Sequence, residues 1–532
     1  MNLRKRAVSL VIAAVLVTVL AGCSGGGGSP DSTGGSEKPQ HGGTLTLIGK
    51  QGWPTGLDPA TRTNGEEQLM TAIYGGLFKL TSGKGDDKGG VVVPDLAQDY
   101  TISGDGLTLD IKLRKGVKFQ DGTDFNAEAV VFNLKRAVGS ACACAPKWSL
   151  QPGDSIAAVD DLTVAIRFTE RPVSVINSFL GSNANWIASP TAVAKLGDAF
   201  SVTPVGAGPF KVVKNESDSE LVLEANKGYW AKGLPYLDGI TYKPIEDPQV
   251  SYQAILAGQA DAMIGADGSS LVDLARENRD LSFMSNPPTS PMAVQLNTKK
   301  GPFADKKARE AIYYATNVDA INKGLFEGAY KASQMFTAPG GLFYHEEIPG
   351  YRTYDLKKAK ALVKELGGLK VTLGTIASPN AQNVMTVLQA QWAEAGIDVN
   401  VVAYAVPALL KQYEVGEWDA MLRVVGGWDP AAGVGVSGYF SSQGRYSGVA
   451  DPALDDLLRS AGTAVDSKDR DALYYKAGKL ISDEAYAPFL FAYAPATVAK
   501  GVHGPGITVP VPPIINNSPV TWDQIWMDAG TR

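Results

Sequence analysis

A chain of 532 residues is too long for a single hydrophobic core, so two or more lobes are expected. Hydrophobic residues at 44%, charged residues at 20% and a net charge of −6 fit an ordinary globular body. They exclude a nucleic-acid binder with its basic footprint, and no second run of about eighteen apolar residues marks a transporter.

The chain opens like an export signal. Arg4, Lys5 and Arg6 precede an apolar run at 7–20, broken only by Ser9 and Thr18 and too short to cross a bilayer comfortably. Leu20-Ala21-Gly22-Cys23 then resembles the bacterial lipobox. That resemblance implies removal of residues 1–22 and diacylation of Cys23. Two acyl chains, at about 0.8 kcal/mol per buried methylene, hold a protein on a leaflet. Residues 23–43 follow as a Gly/Ser-rich flexible tether with a root-mean-square reach of about 22–27 Å. The expected location is the extracytoplasmic face of the cell membrane.

Strands begin the body. Residues 44–48 alternate, and 107–113 alternate more clearly, with the leucines and Ile111 on one face. A turn at Gln120-Asp121-Gly122 leads to a helix capped by Asn126, with Ala127, Val130, Val131, Leu134 and Val138 as its apolar stripe. Residues 163–168 and 220–224 are further strands, so 76–204 looks like an α+β insertion. Cys142 and Cys144 are candidates for a local disulfide, awkward across a one-residue gap, or for free thiols. His41, His345 and His503 are scattered, so neither a metal site nor a cofactor is expected.

The second half changes character. A strand at 370–376, a helix at 381–395 with Val384, Leu388 and Trp392 inward, and a strand at 398–404 form a βαβ unit and imply a parallel pair. A further strand at 418–425 ends in Gly426-Gly427-Trp428-Asp429-Pro430. Ligands of open α/β sheets bind beyond the carboxyl ends of strands. Gly427, Trp428 and Asp429 are therefore candidate ligand-binding residues, with the indole placed at the surface. A packed tryptophan and a helix-capping aspartate fit the same residues. Asp451-Pro452 starts one helix, Asp469 another, and 505–519 is proline-rich and expected to be extended.

Several segments, in order, resemble the bacterial extracellular solute-binding proteins of family 5, the oligopeptide, dipeptide and nickel-binding group of ABC importers. They are LRKGVKF at 113–119 with FNAEAVVFNLKR at 125–136, PVGAGPFKV at 204–212, NKGYW at 226–230, and GPF at 301–303 followed by REAI at 309–312. The resemblance spans about 42–530. It implies an α/β, two-lobed periplasmic-binding-protein fold (class II) with an extra α+β domain inserted in the first lobe. Residues 42–75, 205–292 and 495–532 would form the first lobe, 76–204 the extra domain and 293–494 the second lobe.

The implied function is capture of a small solute, a peptide foremost, between the lobes and delivery to an ABC permease with its ATPase subunits. The receptor is expected to be a lipid-anchored monomer. Family peptide binders pair an Asp shortly after a Trp with the ligand amine. Here Trp428 and Asp429 are adjacent and no Tyr follows before Tyr439, which departs from that pattern. Trp53 is a candidate for the first-lobe wall and equally fits a core position. Trp428 and Tyr439 could also stack on an oligosaccharide, and chelated nickel needs few protein ligands. A peptide sensor and a hydrolase are the rival classes. The body offers no G-x-S-x-G elbow and no H-E-x-x-H helix, so no enzyme is expected.

Overall fold

The alternating segment at 107–113 is the strand Thr108–Leu113, with Leu109, Ile111 and Leu113 buried. It pairs antiparallel with Ala97–Ile102 on one side and Thr163–Arg167 on the other, and Ser155–Asp160 completes a four-stranded sheet. Helix Ala127–Gly139 covers this sheet. Its first turn is capped by Asn126, whose side-chain oxygen accepts from the Ala129 N–H at 3.0 Å. Ala127, Val130, Val131 and Leu134 enter the core; Val138, expected in the same stripe, is exposed near the helix end.

The computed structural model describes residues 38–49, 56–61, 67–81, 90–139, 155–180, 182–245, 247–266, 274–432, 434–492, 494, 496–511 and 519–529. The leader, most of the tether, Cys23, Trp53, Cys142 and Cys144 lie outside them.

Each lobe is built on its own mixed sheet. In the first, Thr44–Gly49 runs parallel to Gly239–Pro244 and to Ala262–Ala266. Antiparallel strands Glu220–Ala225 and Phe210–Glu216 extend one edge, and Ala496–Ala499 with Ser282–Ser285 extend the other. The second-lobe sheet has the order Ile397–Tyr404, Leu369–Ile376, Ala420–Val424, Pro291–Leu296, Phe489–Ala492. Its first two strands are the expected parallel pair, in register from Leu369 opposite Ile397 to Ile376 opposite Tyr404. The connecting helix, Pro379–Glu394, buries Val384, Leu388 and Trp392. The architecture is thus α/β and two-lobed, with an added α+β domain.

Two expectations change at the level of elements. The helix expected from Asp469 begins at Ser467, because Asp466 accepts from the Lys468 and Asp469 N–H groups and takes the cap two residues earlier. Within the proline-rich stretch, Pro505 to Val509 is a turn rather than extended chain, closed by Gly506 N–H donating to the Val509 carbonyl at 2.9 Å. Glycines at 504 and 506 with positive φ permit that reversal.

The segments carrying the family resemblance are joints of the scaffold. Gly206 is needed because a Cβ there would lie 2.4 Å from the Ile73 carbonyl oxygen. Gln120 ties three segments: its Nε2 donates to the Ile73 and Phe210 carbonyls at 2.9 and 2.8 Å, and its Oε1 accepts from Gly206 N–H. Asn226 Nδ2 donates to the Gly208 carbonyl at 2.9 Å, and the Arg114 guanidinium lies 4.3 Å over the Trp230 ring. In the second lobe, Arg309 donates to the Phe303 and Ala304 carbonyls and so closes the GPF turn onto its helix.

Candidate functional site

Strand Ala420–Val424 runs between two partners and ends where the Val425 N–H donates to the Pro291 carbonyl at 2.9 Å. The backbone then turns at Gly426, with φ +79°, directly against the Phe336 carbonyl. This reversal presents Gly427, Trp428 and Asp429 beyond the carboxyl end of the strand, as the pattern of open α/β sheets leads one to expect.

All three are buried, Trp428 at 4% and Asp429 at 1% exposure, so the indole expected at the surface is enclosed. Trp428 packs into the hydrophobic cluster of the added domain, with Leu96, Val117 and Phe179, and Leu342 of the second lobe lies against the same cluster. Its carbonyl accepts from the Leu342 N–H at 2.7 Å. A second-lobe loop is therefore seated in first-lobe packing.

The Asp429 carboxylate crosses the same boundary. Oδ2 accepts from Asn177 Nδ2 at 2.7 Å, on the added-domain helix Val175–Leu180. Oδ1 accepts from the Ala431 N–H at 2.9 Å and from Arg470 Nη2 at 3.3 Å. Arg470 Nη2 also donates to Ser174 Oγ at 2.8 Å, and its guanidinium lies 4.9 Å from the Phe343 ring centre. The Asp429 side chain has no exposure and that of Arg470 only 11%, so each neutralises a charge the other could not bury alone. Burial, reinforced by the nearby Asp429 charge, pushes the Tyr474 hydroxyl well above the ordinary phenol range. Three donors occupy a carboxylate with about four acceptor positions.

Tyr439, on helix Gly435–Phe440, is buried at 7% and lies elsewhere in the second lobe, its ring stacked on Tyr446 with 5.7 Å between centroids and facing Arg423. The structure joins Gly427, Trp428 and Asp429 at the lobe boundary and sets Tyr439 with the arginine.

Residues missed in the sequence complete the picture. Asn177, Ser174 and Arg470 carry no local signal, since their roles depend on chain segments more than 200 residues apart meeting. Asn183, three residues past the helix bearing Asn177, is 2% exposed, and neither atom of its carboxamide has a hydrogen-bond partner. Arg423 did have a signal: it is the single charge in the apolar run Ala420 to Val425. Among the described residues no group of three His, Cys, Asp or Glu side chains is placed to hold a metal ion, and no helix is long and apolar enough to cross a membrane.

Comparison with known proteins places the chain in a family. Residues 91–447 match the model of the bacterial extracellular solute-binding proteins, family 5, middle region. The glutathione-binding protein GsiB of Shigella flexneri is 31% identical over 448 residues, covering 81% of this chain and 85% of that protein, and GsiB of Escherichia coli K12 matches to the same extent. Among solved structures, the periplasmic binding protein DppA of Helicobacter pylori in complex with the peptide STSA is 26% identical. Its TM-score is 0.78, with 92% of this chain and 99% of that one covered. The oligopeptide-binding protein AppA of Bacillus subtilis, at 22% identity and a TM-score of 0.77 over 92% of this chain and all of that one, shares the fold. The chain belongs to family 5 of the bacterial extracellular solute-binding proteins.

Proposed function

We propose that this protein is the peptide receptor of an ABC importer, closing its two lobes on a short peptide and handing it unchanged to the permease. The supporting observation is the loop Gly427 to Asp429, where Asn177 of the added domain donates to Asp429 of the second lobe. Contacts across the lobe boundary couple closure to ligand retention, shifted by whatever solute adds contacts to both lobes. The named relatives bind glutathione and the peptide STSA, both peptidic, which favours a short peptide here.

In this reading Gly427, Trp428 and Asp429 form the second-lobe wall, and Asn183 offers its unpaired carboxamide to the peptide backbone. The remaining acceptor position of Asp429 suits a ligand ammonium group. The lobes divide at 42–75, 205–292 and 495–532 against 293–494, with 76–204 as the added domain, and the receptor acts as a monomer.

A thermal-shift screen of residues 39–532, a single compact unit, against di- and tripeptide pools, oligosaccharides and chelated nickel tests the reading. Ligand at a hundred times its Kd adds about 2.7 kcal/mol, and peptides alone should raise the melting temperature. A shift with sugars or nickel and none with peptides would sink the peptide assignment while leaving the family intact.

The anchor belongs to the same proposal: Cys23, lipidated, keeps the receptor beside its permease. Cys23→Ala should move the protein from the membrane fraction to the medium or periplasm. Retention of the variant in the membrane pellet would count against lipidation.

A further inference from the structure

Strand Leu369–Ile376 carries a glycine in its interior, Gly374, opposite Met421 of the neighbouring strand. A Cβ there would lie 2.6 Å from the Met421 Sδ and 2.9 Å from the Tyr404 ring, so only glycine lets those two side chains lie against the strand. Thr372 and Asp419, each two residues earlier along its own segment, share that face. Together these residues line a cavity of about 300 Å³, which Trp418, Glu417 and the start of the GPF turn at Lys300 and Gly301 complete. Strand Ala420–Val424 has this cavity at its amino end and the Gly427 loop beyond its carboxyl end. About 17 Å of chain separates Asp419 from Val424, so the cavity stands apart from the lobe boundary.

The charges of the lining do not balance. Lys300 is held by Glu417 at 2.7 Å on the exposed rim. Asp419 Oδ2 accepts from the Thr372 N–H at 2.9 Å. Among the described residues no cation pairs with this carboxylate, and its Oδ1 accepts no hydrogen bond. Gly301, with φ +66°, leaves that oxygen uncovered, since a Cβ there would lie 3.0 Å from it. Two carboxylates against one ammonium disfavour an anion and favour a cation. The remaining lining is apolar. Trp418 is 6% exposed and set edge-on to Tyr413, 5.1 Å between centroids, and the Met421 thioether and the Tyr404 ring lie beside it. Burial raises the Tyr404 hydroxyl above the ordinary phenol range, so the ring stays neutral. Aromatic faces next to an open carboxylate oxygen suit an ammonium group, and the volume is at the low end of small-molecule sites.

We propose that this cavity is a second ligand site that takes a small organic cation, a primary ammonium bonded to Asp419 Oδ1 with a short apolar stem packed on Tyr404 and Trp418. The site does not depend on the peptide-receptor reading.

Calorimetry with phenethylamine and with phenethyl alcohol, its uncharged match, tests the site on the wild-type protein, D419N and T372I. The wild type should bind the amine at least about 10-fold more tightly than the alcohol, the factor for one hydrogen bond to a charged group. D419N keeps an acceptor for the Thr372 N–H but removes the charge, so it should bind both compounds alike, at the affinity of the alcohol. T372I fills the cavity, should bind neither, and serves if D419N does not fold. Adding the peptide pool of the thermal-shift screen should leave the affinity for the amine unchanged. Equal binding of the two compounds by the wild type, or binding of neither, would overturn the site. So would a preference for the amine undiminished in D419N, amine binding undiminished in T372I where D419N fails to fold, or displacement of the amine by peptide. If no peptide binds, the peptide reading fails by itself and the variants still decide this one.

Discussion

Arg309→Met should lower the stability of the second lobe by about 3–5 kcal/mol, which for a unit of that size is a fall in Tm of roughly 6–15 °C. The side chain is 5% exposed and serves four partners at once. Its Nη1 donates to the Phe303 and Ala304 carbonyls at 2.9 and 3.2 Å, its Nε donates to the Glu484 carbonyl at 2.9 Å, and Nη2 lies 3.6 Å from the Glu484 carboxylate. Methionine fills much of the volume and supplies no donor, so buried carbonyls at the GPF turn and at the end of helix Ser467–Asp483 are left unpaired. The Tyr486 ring, 5.3 Å from the guanidinium, loses its cation as well. Differential scanning calorimetry decides it: a second-lobe transition within 2 °C of wild type would show that water replaces these bonds freely.

Gly426→Ala should act on binding. A Cβ at this position would lie 2.1 Å from the Phe336 carbonyl oxygen, a backbone atom that cannot swing aside, and the φ of +79° adds about 1–2 kcal/mol for any L side chain. The strand exit must shift, taking with it the Trp428 carbonyl that bonds Leu342 and the Asp429 carboxylate that meets Asn177. A displacement of this kind at a closing contact costs about 10–100-fold in affinity. Gly416→Ala is the control, since its φ is +68° but nothing stands within 4 Å of the added methyl. It should cost about 1 kcal/mol of stability and leave affinity unchanged. Calorimetric titration with the peptide pool that shifts the wild-type melt compares the two variants. Wild-type affinity in Gly426→Ala would mean that the loop does not depend on this turn.

The two variants mark a division between what the chain states locally and what it does not. Arg309, Gly206 and Asn226 lie in segments that resemble the family, and each is a joint of the scaffold. A joint needs one residue type against a backbone group, wherever in the chain that group lies, so it leaves a readable motif. Recognition of the family from those motifs therefore fixed the fold and the general activity and said little about the ligand.

Periodicity and punctuation determined the elements for the same local reason. The alternation at Thr108–Leu113, the apolar spacing along Pro379–Glu394, the caps at Asn126 and Asp451 and the parallel pair of the βαβ unit are consequences of backbone geometry acting over one or two turns. The loop Gly427 to Asp429 was legible as a strand end.

Only the tertiary structure decided what those residues face. It buried Trp428 in the packing of a domain some 250 residues earlier in the chain, gave Asp429 to Asn177 and Arg470, and drew Tyr413, Tyr439 and Tyr446 around the Arg423 guanidinium. Burial and charge pairing are properties of atoms brought together from distant segments, and no window of sequence contains both partners.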